Sequence, residues 1–298
     1  MRRRLIPMRA TFIGLTTLDV IYLVHRLPRS NEKIRAVKQL ISAGGPASNA
    51  AVAFAALGGK SILLSCLGDS PLAKSALHDL SKYGVETIDV ADDANSEITI
   101  ASILVEQSNG KRTVISTKGT ERSCLPLSDS HFQQLCSGSV ILWDGYYPEI
   151  AIPALRKAKT AGLITVLDGG SWKPWLAEAL PMIDIAICSQ DFRTPGANCS
   201  RDVLIALLRG GAGFACVTRG AQPILWKCPT ADGVVPVMQL DVKDTLGAGD
   251  FLHGAFCYEI KSTAVAAITT ALEAAARIAS MSTTSFGSRE WLRELNSR

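Results

Sequence analysis

The sequence predicts an α/β fold: a mostly parallel sheet covered by helices on both faces, with a small antiparallel sheet standing off it. Three observations carry this. From Val140 onward, short apolar strands alternate with helical stretches. Those strands are apolar throughout rather than at every second residue, the pattern of a sheet buried on both faces. The segments near 20–41 and 97–118 instead alternate or are only partly apolar, and no helix lies within either. They are assigned to a separate lid, drawn from about 16–41 and 97–118.

In order, Thr11-Phe12-Ile13-Gly14 reads as a first buried strand ending at a glycine. Ile21–Val24 and Ile34–Ile41 read as further strands around the turn-rich Pro28-Arg29-Ser30-Asn31. Ala47–Leu57 has helical periodicity and stops at Gly58-Gly59. Ser61–Leu67 is a buried strand and Leu72–Tyr83 a helix closed by Gly84. Ile98–Val105 and Arg112–Thr117 flank Asn109-Gly110, a strong hairpin signal. The later strands are Val140–Trp143, Ile164–Leu167, Ile183–Cys188 and Ala215–Thr218, with helices Ile150–Ala161, Trp175–Leu180 and Val203–Leu208 between them. Leu225–Val237, with turn signals at Pro229 and Asp232-Gly233, reads as antiparallel edge strands. Helices Phe251–Ile260 and Val265–Met281 close the core. No internal repeat or linker divides the chain, so a single domain over 1–298 is expected.

Composition narrows the function classes. Of the 298 residues, 47% are hydrophobic and the net charge is only +4, with no basic stripe interleaved with aromatics, so nucleic acid is excluded as main partner. The eight cysteines form no C-x-x-C pair and several sit in apolar runs, which predicts buried free thiols rather than a disulfide frame or zinc site. The four histidines lie far apart, without metal-ligand spacing. Met1-Arg2-Arg3-Arg4 lacks the apolar stretch of a signal peptide and reads as a loose basic tail, with Met8 a candidate start. The Ala264–Ala279 run carries Glu273 and Arg277 and is too short to span a bilayer. A cytoplasmic location without membrane contact is expected.

Two glycine stretches carry the chemistry. In Asp244-Thr245-Leu246-Gly247-Ala248-Gly249-Asp250 a small-residue turn runs into an apolar helix. Consecutive N–H groups and a helix N-terminus suit an anion such as phosphate. An acid at the mouth of that turn makes sense as a base, taking a proton from a hydroxyl while the N–H groups hold the phosphoryl group it attacks. Taken alone, the stretch equally suits an ordinary helix start capped by Asp250. In Ala43-Gly44-Gly45-Pro46-Ala47-Ser48-Asn49 the glycines let a polyol approach the backbone, with Asn49 donating and accepting hydrogen bonds. A plain helix N-terminus with Pro46 near its first position also accounts for it.

Together, in this order, the two stretches resemble the signatures of the pfkB-type (ribokinase-like) carbohydrate kinases. The first runs on through Leu57-Gly58 to Leu67-Gly68-Asp69, and the likeness extends from Gly14-Leu15-Thr16-Thr17-Leu18-Asp19 to about Gly287. It implies a three-layer α/β/α sandwich with a β lid, ATP as donor and Mg²⁺. By the family's pattern Asp250 is the base and Gly247, Ala248 and Gly249 the anion hole. Asp19, Gly44, Gly45 and Asn49 fall on sugar-binding positions. Val217-Thr218-Arg219-Gly220 resembles the nucleotide-contacting turn, so Thr218 and Gly220, with Thr245 and Gly247, are expected against ATP. Arg219 is a candidate for its phosphates and equally suits a solvated surface. Asp144, after Trp143, is expected near the sugar, and Asp168 is a comparable candidate. Arg112, with Asn109 and Lys111 by the lid hairpin, is a candidate for a charged substituent.

The resemblance has a departure. Many relatives carry Asn-x-x-Glu, organising Mg²⁺, where this chain has Ser189-Gln190-Asp191-Phe192, so no metal ligand is assigned. A monovalent cation such as K⁺ is a further expectation, with Asp244, Ser280 and Gly287 in matching regions. The motifs look closest to ketohexokinase-like and sulfofructose-kinase-like members, favouring a ketose such as fructose, with ribose next. The alternatives are a nucleoside kinase, which would need aromatic residues such as Tyr22, Tyr146 and Tyr147 around a base, or a catalytically silent sugar-binding protein. An exposed lid edge suits a homodimer.

Overall fold

Two sheets organise the chain in the computed structural model, which describes residues 8–92, 97–117 and 123–295. The Met1–Arg4 leader lies outside the described residues, as does residue 118 at the end of the expected lid. The elements run β1 (Arg9–Ile13), β2 (Thr17–Val24), β3 (Lys38–Gly44), α1 (Pro46–Ala56), β4 (Lys60–Ser65), α2 (Pro71–Lys82), β5 (Val85–Asp89), β6 (Thr99–Glu106), β7 (Arg112–Ser116), α3 (Asp129–Leu135) and β8 (Val140–Trp143). They continue through α4 (Pro148–Thr160), β9 (Ile164–Gly169), α5 (Leu176–Ala179), β10 (Ile185–Ser189), α6 (Ser200–Arg209), β11 (Phe214–Arg219), β12 (Gln222–Lys227), β13 (Asp232–Val235), α7 (Ala248–Glu259), α8 (Val265–Ser282) and α9 (Trp291–Leu295).

The large sheet has nine strands in the order β13-β12-β11-β10-β9-β8-β1-β4-β5. It is parallel from β11 to β5, and β12 and β13 add an antiparallel edge. Its strands are apolar on both faces because both are covered. Phe12, Leu63, Leu142, Val166 and Ile187 pack in one core with α1, α7 and α8. Their neighbours Ile13, Leu64, Trp143, Leu167 and Cys188 pack in another with α4 and α6. That is the expected three-layer sandwich. Among the described residues no helix is long and apolar enough to cross a membrane.

The second sheet has the order β3-β2-β6-β7. Asn109-Gly110 turns the β6–β7 hairpin as predicted. The expectation of an antiparallel sheet is corrected, however: β2 and β6 run parallel over eight residue pairs, Thr17↔Thr99 to Val24↔Glu106. Alternation along a strand reports which face is buried, not strand direction. Direction was decided by the return of the chain from β5, at the far edge of the large sheet. Smaller corrections follow the same logic. The strand expected at Ile34–Ile41 begins only at Lys38. The β12–β13 turn falls at 228–231, with Asp232-Gly233 inside β13. The helix expected over Trp175–Leu180 shortens to four residues before a 3₁₀ turn containing Pro181. Strand β5 and helix α3 were not predicted, being short and largely polar.

The expectation of free thiols throughout is also corrected. Cys66, just past β4, is disulfide-bonded to Cys124, 58 residues further along the chain. Spacing could not announce it, because Cys124 is placed by tertiary contacts, among them the strand-like pairing of Ala91 with Cys124. The other six are free. Closing a loop of that length restricts the unfolded chain by about 4 kcal/mol in the chain-entropy account. Dithiothreitol is therefore expected to lower the melting temperature by roughly 5–10 °C, and Cys124→Ser to reproduce the drop without reductant. An unchanged melting curve would show that the bond carries no stability.

Candidate active site

Strand order reverses at β1, whose neighbours β4 and β8 lead to opposite halves of the sheet. Open α/β sheets bind ligands beyond the carboxyl ends of strands at such a point. The glycine stretches meet there because α1 and α7 cross with almost no side chain between them. A Cβ on Gly254 of α7 would lie 2.2 Å from the carbonyl oxygen of Ala50 and 2.8 Å from Ala53 Cβ. That contact lets Asn49 Nδ2 on α1 donate to Asp250 Oδ2 on α7 at 2.8 Å.

Helix α7 starts at Gly247, in the left-handed region at φ 74°, and no side chain caps it. Ala248 N–H makes only a long contact, 3.4 Å, with Thr245 O, the N–H groups that follow have no capping side chain, and a Cβ on Gly249 would meet nothing within 4 Å. This is a cradle with room for a phosphate. Asp250 keeps part of its surface open, as a base must. Desolvation pushes its carboxyl up to about 6, with the charge of Asp168 adding to the rise and Asn49, His253 and Arg112 opposing it. Arg112, on β7 of the small sheet, reaches across to donate to Thr245 Oγ1 at 2.8 Å. That contact engages Nη1 and sets the guanidinium beside the cradle.

On the other side of Asn49 lies Asp19, buried on β2, where it accepts from Thr17 Oγ1 at 2.6 Å. Gly44 is needed opposite it, since a Cβ there would lie 2.1 Å from the Asp19 carboxyl. Gly45 has φ 94° and would press a Cβ to 2.3 Å from Leu15 O. Burial raises Asp19 to about 6, against the Thr17 hydrogen bond and the Arg289 charge. Asp144 is occupied by the backbone: its carboxylate accepts from Leu15 N at 2.8 Å, Ala47 N at 3.3 Å and Tyr146 N at 3.0 Å. It holds the loop after β1 and the start of α1, which carry the sugar-binding candidates.

Thr218, one residue before the end of β11, is in register with Ser189 of β10, and its hydroxyl donates to Cys188 O at 3.3 Å. Gly220 turns the chain at φ 59°. Arg219 folds over its own hairpin, giving Nε and Nη2 to Pro223 O at 3.0 and 2.7 Å. Asp191 is exposed, with only its backbone tied, to Ser189 Oγ. Among the described residues no group of three or more His, Cys, Asp or Glu side chains could hold a metal ion. Asp244, buried, already accepts from Leu246 N at 2.9 Å and Gly287 N at 2.8 Å.

Sequence reasoning missed four residues. His253, one turn beyond Asp250, lies with Nδ1 2.7 Å from Gly249 O and 3.4 Å from Asp168 Oδ2, and with Nε2 3.1 Å from Ile187 O. Lys173 is buried over the Tyr146 ring, 4.5 Å from its centroid, and faces the charges of Asp144 and Asp168. Arg289 and Asp79 pair beside Asn49. His253 adjoins the second signature; the other three have only tertiary neighbours to mark them. The tyrosines do not enclose a common space: Tyr147 is buried, Tyr146 lies under Lys173, and Tyr22 is one residue out of phase with Asp19 and Ile21, on the other face of β2.

The architecture is that of ribokinase-like proteins. The crystal structure of a putative ribokinase from Agrobacterium tumefaciens superposes with a TM-score of 0.79 over 98% of this chain and 99% of that one, at 23% identity. In sequence, deoxyribokinase from Salmonella typhi is 26% identical over 295 residues, 93% of each chain. Probable fructokinase-5 from Arabidopsis thaliana is 27% identical over 233 residues, 72% of each. The pfkB family carbohydrate kinase profile matches residues 9–294, and the chain belongs to that family of ATP-dependent carbohydrate kinases.

Proposed function

We propose that the protein transfers the γ-phosphoryl group of ATP to a hydroxyl of a small neutral sugar, a ketose such as fructose or a pentose such as ribose. The observation that supports it best is Asp250, held by Asn49 at the uncapped N-terminus of α7. Asp250 takes the proton of the attacking hydroxyl. The N–H groups of Gly247, Ala248 and Gly249 receive the developing phosphoryl charge, and Arg112 and Thr245 flank it from the small sheet, which acts as the lid. Mg²⁺ on the triphosphate would neutralise charge between donor oxygens. Thr218 and Gly220 border the nucleotide; a K⁺ requirement is assigned to the Asp244–Gly287 loop pair. Asp19, Asn49 and the Gly44–Gly45 backbone read the sugar hydroxyls, and Asp144 supports them.

A neutral sugar is favoured because Asp19 and Asp250 already feel each other's charge, and Arg112 is engaged with Thr245. A sulfonate or phosphate would add a like charge. A nucleoside is disfavoured by the scattered tyrosines. ADP release with Mg-ATP across ketoses, aldoses, sugar acids and nucleosides tests the reading; turnover confined to nucleosides or anionic sugars would sink it.

The raised carboxyl of Asp250 sets the pH dependence. Only its ionised form is a base, so kcat/KM is expected to fall as pH drops through about 6. An acid limb near 4 in the pH profile would show that the desolvation is not felt.

The outer face of the lid supports a homodimer. Ile41, Val20, Ser102 and Ile115 stand in one row across its four strands, and Ile41 and Ile115 are 57% and 66% exposed. Light scattering should show a dimer, and Ile41→Asp with Ile115→Asp a monomer. A monomeric native protein would overturn this.

A further inference from the structure

We propose that Arg289, paired with Asp79, is a positioning residue that fixes the sugar-binding end of the site by setting the amide of Asn49 and clamping the strand that leads into Gly44-Gly45. The inference rests on the reading given under Proposed function.

Arg289 lies just before α9, 240 residues beyond Asn49. Its Nη1 donates to Asn49 Oδ1 at 2.9 Å and to Ser288 O at 3.1 Å; its Nη2 donates to Ala43 O at 2.7 Å, and its Nε to Asp79 Oδ2 at 3.3 Å. The same Asp79 Oδ2 accepts from Ala43 N at 3.0 Å. The ion pair therefore grips both polar groups of Ala43, the residue before Gly44-Gly45. The guanidinium lies over the Tyr83 ring, 5.4 Å from its centroid, and its side chain is only 11% exposed. Little freedom remains to it.

An amide has two ends, and one of them must face Asp250. A guanidinium carries donors only, so the end of Asn49 that meets Arg289 must be the carbonyl. The NH₂ group is thereby left to donate to Asp250 Oδ2, at 2.8 Å. Without Arg289 the amide can turn over, placing its carbonyl against the carboxylate and withdrawing the donor that supports the ionised base. The other groups acting on Asp250 are Asp168 from β9, His253 from α7, Arg112 from β7 and Asp19 from β2. None of them touches the Asn49 amide, so the direct hydrogen-bonded route from Arg289 to the Asp250 carboxyl runs through Asn49, beside the weaker influence of its charge by way of Asp19.

Arg289→Met and Arg289→Lys test this, alongside Asn49→Ala and the Asn49→Ala/Arg289→Met double variant. Each is measured for sugar KM, kcat and the pH profile, and the Asp250 carboxyl is followed separately by ¹³C NMR of Asp-labelled protein, assigned with Asp250→Asn. Arg289→Met should raise sugar KM at least about tenfold and move both the acid limb and the carboxyl titration to higher pH by about half a unit or more. Arg289→Lys should recover part of both. In the Asn49→Ala background, Arg289→Met should shift the carboxyl titration no further. A folded Arg289→Met protein with native KM and titration overturns the inference, as does a full shift in the double variant relative to Asn49→Ala. If Arg289→Met does not fold, Arg289→Lys decides by the same readouts. A protein that turns over no sugar while its carboxyl titration shifts as expected refutes the kinase reading and leaves the Arg289 contact standing.

Discussion

Asp250→Asn is expected to abolish turnover while leaving the fold intact or firmer. Loss of a positioned general base lowers rate by about 10²–10⁴-fold, and the kcat of this variant should fall by that order with sugar KM within a few fold. The carbonyl of the new amide still accepts from Asn49 Nδ2, so the α1–α7 contact is retained. The stability effect has a definite sign. The folded carboxyl sits at about 6 against an ordinary 3.8, so its contribution is fully present below the unfolded value and is lost as pH rises through the folded one. Asp250→Asn removes a group that the native fold disfavours in its charged state. Its melting temperature should therefore gain on the wild type between pH 4 and 7 and hold a constant lead above that. A variant that unfolds cooperatively at a lower temperature at pH 8 would mean that the charged carboxylate is a structural partner rather than a base held ready. Retained turnover would move the proton acceptor elsewhere, with Asp168, the buried carboxylate whose charge bears most on Asp250, the first candidate.

The second large effect is expected at a residue that touches no substrate. Gly254→Val places a branched side chain where even a Cβ would lie 2.2 Å from the Ala50 carbonyl oxygen. That neighbour is backbone in the middle of α1 and cannot swing away. Overpacking of this kind costs about 1–3 kcal/mol or more, and relief comes only by moving α1 and α7 apart. Asn49 and Asp250 lie on those two helices, so separation stretches their 2.8 Å hydrogen bond and carries the base away from the sugar site. Activity should fall by on the order of a hundredfold, more than the loss of stability alone would produce at a temperature where the variant is folded. Gly249→Ala on the same helix is the control for stability. Its Cβ meets open space, and its melting temperature should match or exceed the wild type because alanine favours the helix. If Gly254→Val keeps full activity, the close crossing is not what sets the site.

The contrast between those two glycines shows how much of the site is readable along the chain. Gly247-Ala248-Gly249-Asp250 is a local arrangement, a turn and the helix it starts, and its chemistry follows from four consecutive residues. Gly254 looks like any small residue inside an apolar helix until Ala50 is brought against it. Asp144 was readable as a polar residue ending a buried strand, but not as the acceptor of three backbone N–H groups. Arg219 was readable as a charge near a turn, and only its fold over Pro223 shows where the guanidinium goes. The direction of β6 and the Cys66–Cys124 bond follow the same rule, since both depend on where distant segments return.

Periodicity and turn chemistry therefore determined the sandwich, the hairpin at Asn109-Gly110 and the two glycine signatures, because each is set by neighbours within a few residues. Tertiary structure alone decided that Asn49 meets Asp250, that Arg112 reaches Thr245 and that Arg289 and Asp79 grip Ala43. Those contacts join residues 133 to 246 positions apart, or, for Asp79 and Ala43, elements that meet only once the helices are packed. Directional side-chain contacts across such separations depend on the rotation and spacing of whole elements, which a one-dimensional pattern does not encode.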